Sequence, residues 1–218
     1  MKPYKAVCFD FDYTLGDATD SIVAGFQYAF PLLGWPAPSR EDVRNTIGYL
    51  LEDAYTMLTG DSDPEHRAQF RPLFLSVARD RQREETVLFP GAVELLLGLK
   101  AQGIKAAIVS TKRGDTIDYI MQRFHVRHTL DSIVGSEHVH HPKPDPQGLL
   151  DTMAHLGVKP EETLFCGDTI LDAGAAKNAG CSFCAVLNGT TEAQEFASYA
   201  PVYIASNLHD LAQWLELE

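Results

Sequence analysis

Asp10 and Asp12, two positions apart, close the apolar run Ala6-Val7-Cys8-Phe9 and lead into Tyr13-Thr14. Side chains at spacing two leave a strand on the same face, so both carboxylates would stand together where a buried strand opens into its loop. Open α/β sheets bind ligands outside the carboxyl ends of their strands, and a divalent cation is the natural third member of such a pair. Aspartate after a strand is also a common cap or turn residue, so the pair gains meaning only from what recurs elsewhere. Three more segments sit in equivalent places. Ile108-Val109-Ser110-Thr111-Lys112 ends a second apolar run, Pro142-Lys143-Pro144 precedes a helical pattern, and Phe165-Cys166-Gly167-Asp168-Thr169-Ile170-Leu171-Asp172 ends another apolar run.

In this order the four segments resemble the haloacid dehalogenase-like hydrolase superfamily, most closely its phosphoglycolate phosphatase-like members, over nearly the whole chain. The resemblance implies a Mg²⁺-dependent phosphoric monoester hydrolase. Its substrate would be a small phosphorylated metabolite (phosphoglycolate-like, a sugar phosphate or a nucleotide monophosphate), cleaved through an aspartyl phosphate. Phosphoryl transfer needs an in-line nucleophile, neutralisation of the transferred group's charge and a proton for the leaving alcohol. Asp10 is the candidate nucleophile, and Asp12 the candidate acid and base. A metal-bound carboxylate stays ionised, while a neighbour away from the metal and near another negative charge is more easily protonated. The resemblance assigns the same roles. It adds that Asp12 gives its backbone carbonyl to the metal while its side chain points at the substrate, and that Thr14 shapes the loop.

The other segments supply charge and ligands. Ser110 would donate its hydroxyl to a phosphate oxygen, helped by the Thr111 and Lys112 backbone N–H groups where strand turns into helix; its plainer reading is an N-cap. Lys143, fixed between two prolines, suits a phosphate clamp that also holds Asp10 and offsets the clustered carboxylates. Asp168 and Asp172 complete a hard-oxygen set for Mg²⁺ with Asp10 and Asp12. Asp168 is expected as the direct ligand; Asp172 would act through water or by pairing with Lys143, or simply stabilise the dipole of the helix it enters. Arg44 and Tyr49 lie in or beside Val43-Arg44-Asn45-Thr46-Ile47-Gly48, which looks like the family's substrate-facing segment, and are expected to meet the leaving group. The chain departs from the commonest first motif by carrying Tyr13 where glycine is frequent.

Rival readings are weighed against the same residues. A sugar phosphomutase would share the aspartyl phosphate, but residues 16–24 look like the phosphatase pattern, so water is the expected acceptor. A dehalogenase would not need the acidic cluster at Asp168 and Asp172. A non-catalytic phosphometabolite-binding regulator would not need the full chemical set. Cys181-Ser182-Phe183-Cys184 has redox or zinc spacing, yet it follows the helix-ending Ala179-Gly180 and runs into a strand pattern, whereas a reactive CxxC sits at a helix N-terminus. Cys8 and Cys166 read as small buried hydrophobes. His138, His140 and His141 on a polar loop read as solvated rather than as a transition-metal site.

The elements that must position these residues follow from periodicity. Residues 5–9, 104–110, 131–134, 163–167, 183–187 and 202–204 are short β-branched or aromatic runs separated mostly by helical patterns, which reads as a parallel, Rossmann-like α/β sheet with crossover helices. One helix over residues 91–102 places Val93, Leu96, Leu97 and Lys100 near one stripe and stops at Gly103; others cover 113–124, 145–156 and 172–179. Residues 16–88 break the alternation. That length of helical pattern without a convincing strand far exceeds a crossover and reads as an inserted α-helical cap, with helices at 19–32, 40–46, 50–59 and 64–84 and a capping-box-like start at Ser39-Arg40-Glu41-Asp42. The expected catalytic core is then residues 1–15 and 89–218.

At 218 residues and 45% hydrophobic content, the chain can bury one core plus this insertion. Its formal net charge of -12 argues against nucleic acid or an anionic membrane as partner, since both are bound through clustered Lys and Arg. No apolar run reaches the roughly 18 residues of a membrane span, and the expected location is the cytoplasm, as monomer or homodimer. Screening limits repulsion of a small phosphate ester to about 8 Å.

Overall fold

The computed structural model describes residues 4–217. They form two compact units, one running up to Asp17 and resuming at Leu88, the other Ala18–Val87.

The first unit is built on a parallel sheet. Its strands are β1 (Ala6–Phe9), β4 (Lys105–Val109), β5 (Ser132–Val134), β6 (Thr163–Gly167), β7 (Ser182–Val186) and β8 (Tyr203–Ala205), in the order β5-β4-β1-β6-β7-β8. All five pairings are parallel. Two-residue strands β2 (Gly16–Asp17) and β3 (Val87–Leu88) pair separately at the ends of the long insertion. They are too short to leave an alternating pattern, and the sequence reading has no strand there.

Period-two alternation divides the sheet's side chains between two cores. Val7, Phe9, Ile108, Leu164 and Cys166 face one. It is closed by Leu95, Leu96 and Leu99 of α5 (Ala92–Ala101), Ile117, Ile120 and Met121 of α6 (Gly114–Arg123), and Leu208 and Leu211 of α9 (Leu208–Trp214). Cys8, Val109, Phe165 and Ala185 face the other, against α7 (Gln147–Leu156) and α8 (Ile170–Ala179). Each fully buried Leu or Phe contributes about 1.5–3 kcal/mol of transfer free energy. The stripe on α5 differs from expectation: Leu95, Leu96 and Leu99 are its buried leucines and Leu97 is exposed, because residue 99 rather than 97 falls on the 95/96 face.

The sheet order has one consequence for the site. From β1 the chain passes to β4 and β5 on one side, then returns to β6, β7 and β8 on the other. β1 thus lies at a topological switch point, where the loops leaving its C-terminal end and those of its neighbours part and leave a crevice.

The second unit is helical: α1 (Thr19–Leu32), α2 (Arg40–Arg44), α3 (Leu51–Thr59) and α4 (Pro64–Glu85). Phe26, Phe30, Tyr55, Phe70 and Phe74 form its centre, in ring pairs such as Tyr55–Phe70 at 5.0 Å and Phe26–Phe30 at 5.5 Å. Gly25 lets α1 and α4 approach, since a Cβ there would stand 2.6 Å from the Phe74 ring. Ser39 and Asp42 form the capping box that starts α2. No helix among the described residues is long and apolar enough to cross a membrane.

Candidate active site

Strand register brings the loops level. Phe9 pairs with Ile108 on one side and Cys166 on the other, and the Asp10 N–H extends the ladder by donating to Cys166 O at 2.9 Å. Asp10 and Asp168 therefore emerge from adjacent strand ends. Thr14 Oγ1 donates to Asp168 Oδ1 at 3.1 Å, and Asn188 Nδ2 donates to Thr14 O at 3.3 Å, tying three loops together. Two glycines make room for the carboxylates. A Cβ on Gly167 would lie 2.4 Å from Asp172 Cγ, and one on Gly189 would lie 2.1 Å from Asp168 Oδ2.

Asp172 combines two of its expected roles. Its backbone N–H and one carboxylate oxygen complete a capping box with Thr169 at the start of α8: Thr169 N–H and Oγ1 donate to Asp172 Oδ2 at 3.0 and 2.6 Å. Its other oxygen accepts from Lys143 Nζ at 2.5 Å. Lys143 Nζ also forms an ion pair with Asp10 Oδ2 at 3.0 Å. Burial pushes the Lys143 ammonium toward neutrality, but the Asp10 and Asp172 charges outweigh it and hold its pKa above the ordinary lysine range.

Asp10, Asp168 and Asp172 offer carboxylate oxygens all within 4.8 Å of one another, and all three residues are buried. Three carboxylates against one ammonium leave a formal excess of two negative charges. Burial first, then the Asp172 and Asp10 charges, drive the Asp168 pKa well above the carboxylate range. Burial likewise raises Asp172, against the opposing pull of Lys143. Such a cluster lacks positive charge. Its all-oxygen donors and its charge deficit suit a hard divalent cation such as Mg²⁺.

Asp12 stands apart from that cluster. Its carboxylate oxygens lie 3.1 and 2.9 Å from Lys112 Nζ, in a pair whose side chains are only 5% and 11% exposed. Burial raises the Asp12 pKa and Lys112 opposes it. Sequence reasoning used Lys112 for its backbone N–H alone; that its side chain would reach Asp12, 100 positions away, has no local signature. Ser110 is not an N-cap, because α6 starts at Gly114 with Arg113 as its cap. The loop from Ser110 to Arg113 separates strand from helix, and Ser110 Oγ accepts from Lys112 N–H at 3.2 Å. Thr111 follows Ser110 in this loop. Glu137 caps the N-terminus of α6 by accepting from Gly114 N–H at 3.0 Å.

Tyr13, buried in the loop, has φ +56°, a left-handed conformation that glycine adopts without strain. Arg44 ends α2 and Tyr49 lies in the bridge with Ile47, both in the helical unit. His138 Nδ1 accepts from Gly135 N–H at 3.0 Å, and the His140 and His141 N–H groups donate to Gln147 Oε1. The four cysteines are free thiols.

This arrangement, two acidic loops and a buried lysine at the switch point of a parallel sheet, is that of a family. The chain belongs to the haloacid dehalogenase-like hydrolases, whose sequence profile matches residues 7–186. A Bacteroides fragilis protein assigned to the same hydrolases, 38% identical, has a fold matching this one with a TM-score of 0.92 over 95% of this chain and 99% of that one. Among curated relatives, pyrophosphatase PpaX of Bacillus velezensis is 29% identical over 96% of this chain and 95% of its own length. Phosphoglycolate phosphatase of Vibrio cholerae is 27% identical over 98% and 97%.

Proposed function

We propose that the chain is a Mg²⁺-dependent phosphatase that hydrolyses a small phosphorylated metabolite through an aspartyl phosphate on Asp10. The observation that carries this reading is the buried Asp10, set beside Asp168 and Asp172 with Lys143 against it. A bound Mg²⁺, held by Asp10, Asp168 and Asp172 with the Asp12 carbonyl, would supply charge neutralisation to the transferred phosphoryl group.

In the first step an Asp10 carboxylate oxygen attacks phosphorus, the P–O ester bond breaks, and its electron pair leaves with the alcohol oxygen, which takes a proton from Asp12. In the second, water attacks the same phosphorus and gives its proton to Asp12, and inorganic phosphate departs as the acyl-phosphate bond breaks. Lys143 fixes Asp10 and balances charge, while Ser110 and the Thr111 backbone bind phosphate oxygens. The helical unit acts as a cap that sets substrate choice, with Arg44 and Tyr49 as its selecting residues. The names of the relatives support phosphoglycolate and pyrophosphate as first candidates.

The test is a panel of phosphoglycolate, sugar phosphates, nucleoside monophosphates and pyrophosphate, assayed for released phosphate with Mg²⁺ and with chelator. Mg²⁺-dependent release from at least one member of the panel is expected. No release from any, or equal release in chelator, contradicts the reading.

A further inference from the structure

Lys112 is the one buried cation of this site that the chemistry above leaves without a task. Its backbone is pinned from both sides: its N–H donates to Ser110 Oγ at 3.2 Å and its carbonyl accepts from Ser136 N–H at 3.1 Å. From that fixed point the side chain places Nζ against both oxygens of Asp12 and 5.9 Å from the Phe11 ring centroid. Asp12 itself sits in a turn closed by its bridge to Gly16. An ammonium nearly equidistant from both oxygens of a carboxylate lies near the extension of its Cβ–Cγ bond, and so fixes the direction in which the Asp12 side chain points.

We propose that Lys112 is a positioning residue for Asp12, holding its carboxyl group in the orientation from which it exchanges a proton with the leaving group and then with water. The inference rests on the phosphatase reading. Proton transfer demands that donor and acceptor come within hydrogen-bond reach in the transition state, and an Asp12 free to swing between rotamers would meet that geometry only part of the time. Lys112 therefore matters in proportion to how much the leaving oxygen needs a proton. An alkoxide needs one badly; a p-nitrophenolate, a stable anion, hardly does. A lysine that merely neutralised a buried carboxylate would affect all esters alike.

The experiment measures kcat/KM for an alkyl phosphate and a series of aryl phosphates of graded leaving-group pKa, in wild type, Lys112→Met, Lys112→Arg, Asp12→Asn and the double variant Asp12→Asn/Lys112→Met. Lys112→Met is expected to lose about 10- to 100-fold on the alkyl phosphate, less than the roughly 10²–10⁴-fold of general acid catalysis because the acid itself remains, and far less on p-nitrophenyl phosphate. Its dependence on leaving-group pKa should steepen as that of Asp12→Asn does. The double variant should be no slower than Asp12→Asn alone, since the lysine acts only through that carboxyl. Circular dichroism checks folding. If Lys112→Met does not fold, Lys112→Arg carries the test: its cation sits farther out, and a loss graded by leaving group supports the proposal. Equal loss on every ester in the folded variants, or losses that add in the double variant, overturns it. Absence of phosphate release by wild type from every ester would overturn the phosphatase reading, and this inference with it.

Discussion

Lys143 Nζ stands 2.5 Å from Asp172 Oδ1 with both side chains almost wholly shielded from solvent. The pair joins the loop before α7 to the first turn of α8. Removing one partner of a buried ion pair leaves an uncompensated charge, at a cost of about 3–5 kcal/mol. Lys143→Met should therefore lower unfolding free energy by about that amount in chelator, as read by urea titration. A loss well below 1 kcal/mol would mean that the ammonium does not balance the cluster.

Much of this site can be read from the chain because its parts are local. Asp10, Ser110 and Asp168 each follow directly on an apolar strand, so their common edge follows from βαβ connectivity, and Lys143 is marked by its flanking prolines. The capping box of Thr169 and Asp172 spans only four residues but is not part of the sequence expectation, which gives Asp172 a helix-dipole role instead. What sequence cannot convey is side-chain reach between segments far apart: Lys112 to Asp12, Thr14 to Asp168, Asn188 to Thr14. The α5 stripe and the two-residue strands β2 and β3 escape for a different reason, since a short apolar-rich helix or strand carries too few residues to define its phase.

Gly167 leaves no space for a side chain. Asp172 is held on both oxygens, so the added methyl of Gly167→Ala must displace a fixed carboxylate, and overpacking of this kind costs about 1–3 kcal/mol. The variant should stay folded and lose Mg²⁺ affinity, measured by calorimetric titration. Unchanged affinity would show that Asp172 has another place to go.

Mg²⁺ should stabilise the folded chain by mass action, by about 2.7 kcal/mol at a hundredfold excess over Kd. Thermal melts with and without Mg²⁺ would read this as a rise in Tm. Asp168→Asn should abolish the rise, since it removes one negative charge from the cluster; a rise that persists would place the ion elsewhere.

In the helical unit His66 Nδ1 lies 2.7 Å from Asp61 Oδ2. That hydrogen bond raises the His66 pKa, while the Asp63 backbone N–H and then His66 lower that of Asp61. The raised histidine contributes stability that is fully present below its unfolded pKa near 6.5 and is lost as pH rises through the higher folded value. The lowered aspartate contributes above its unfolded value near 3.9 and loses that contribution as pH falls through the folded one. The pair therefore acts in the acidic window between them. His66→Gln should lower Tm more at about pH 5.5 than at about pH 8.5; a difference independent of pH would mean that the contact is not ionic. The His66 side chain is exposed, so the effect should be small and should shrink with salt.

The central claim is that Asp10 carries the phosphoryl group during turnover. Rapid-quench mass spectrometry of the enzyme mixed with Mg²⁺ and its best substrate tests this most directly. One phosphoryl mass is expected on the peptide containing Asp10, stable in acid and released by hydroxylamine, and Asp10→Asn should show neither adduct nor turnover. Sustained turnover by Asp10→Asn, or a phosphoryl adduct on any other residue, would contradict the account.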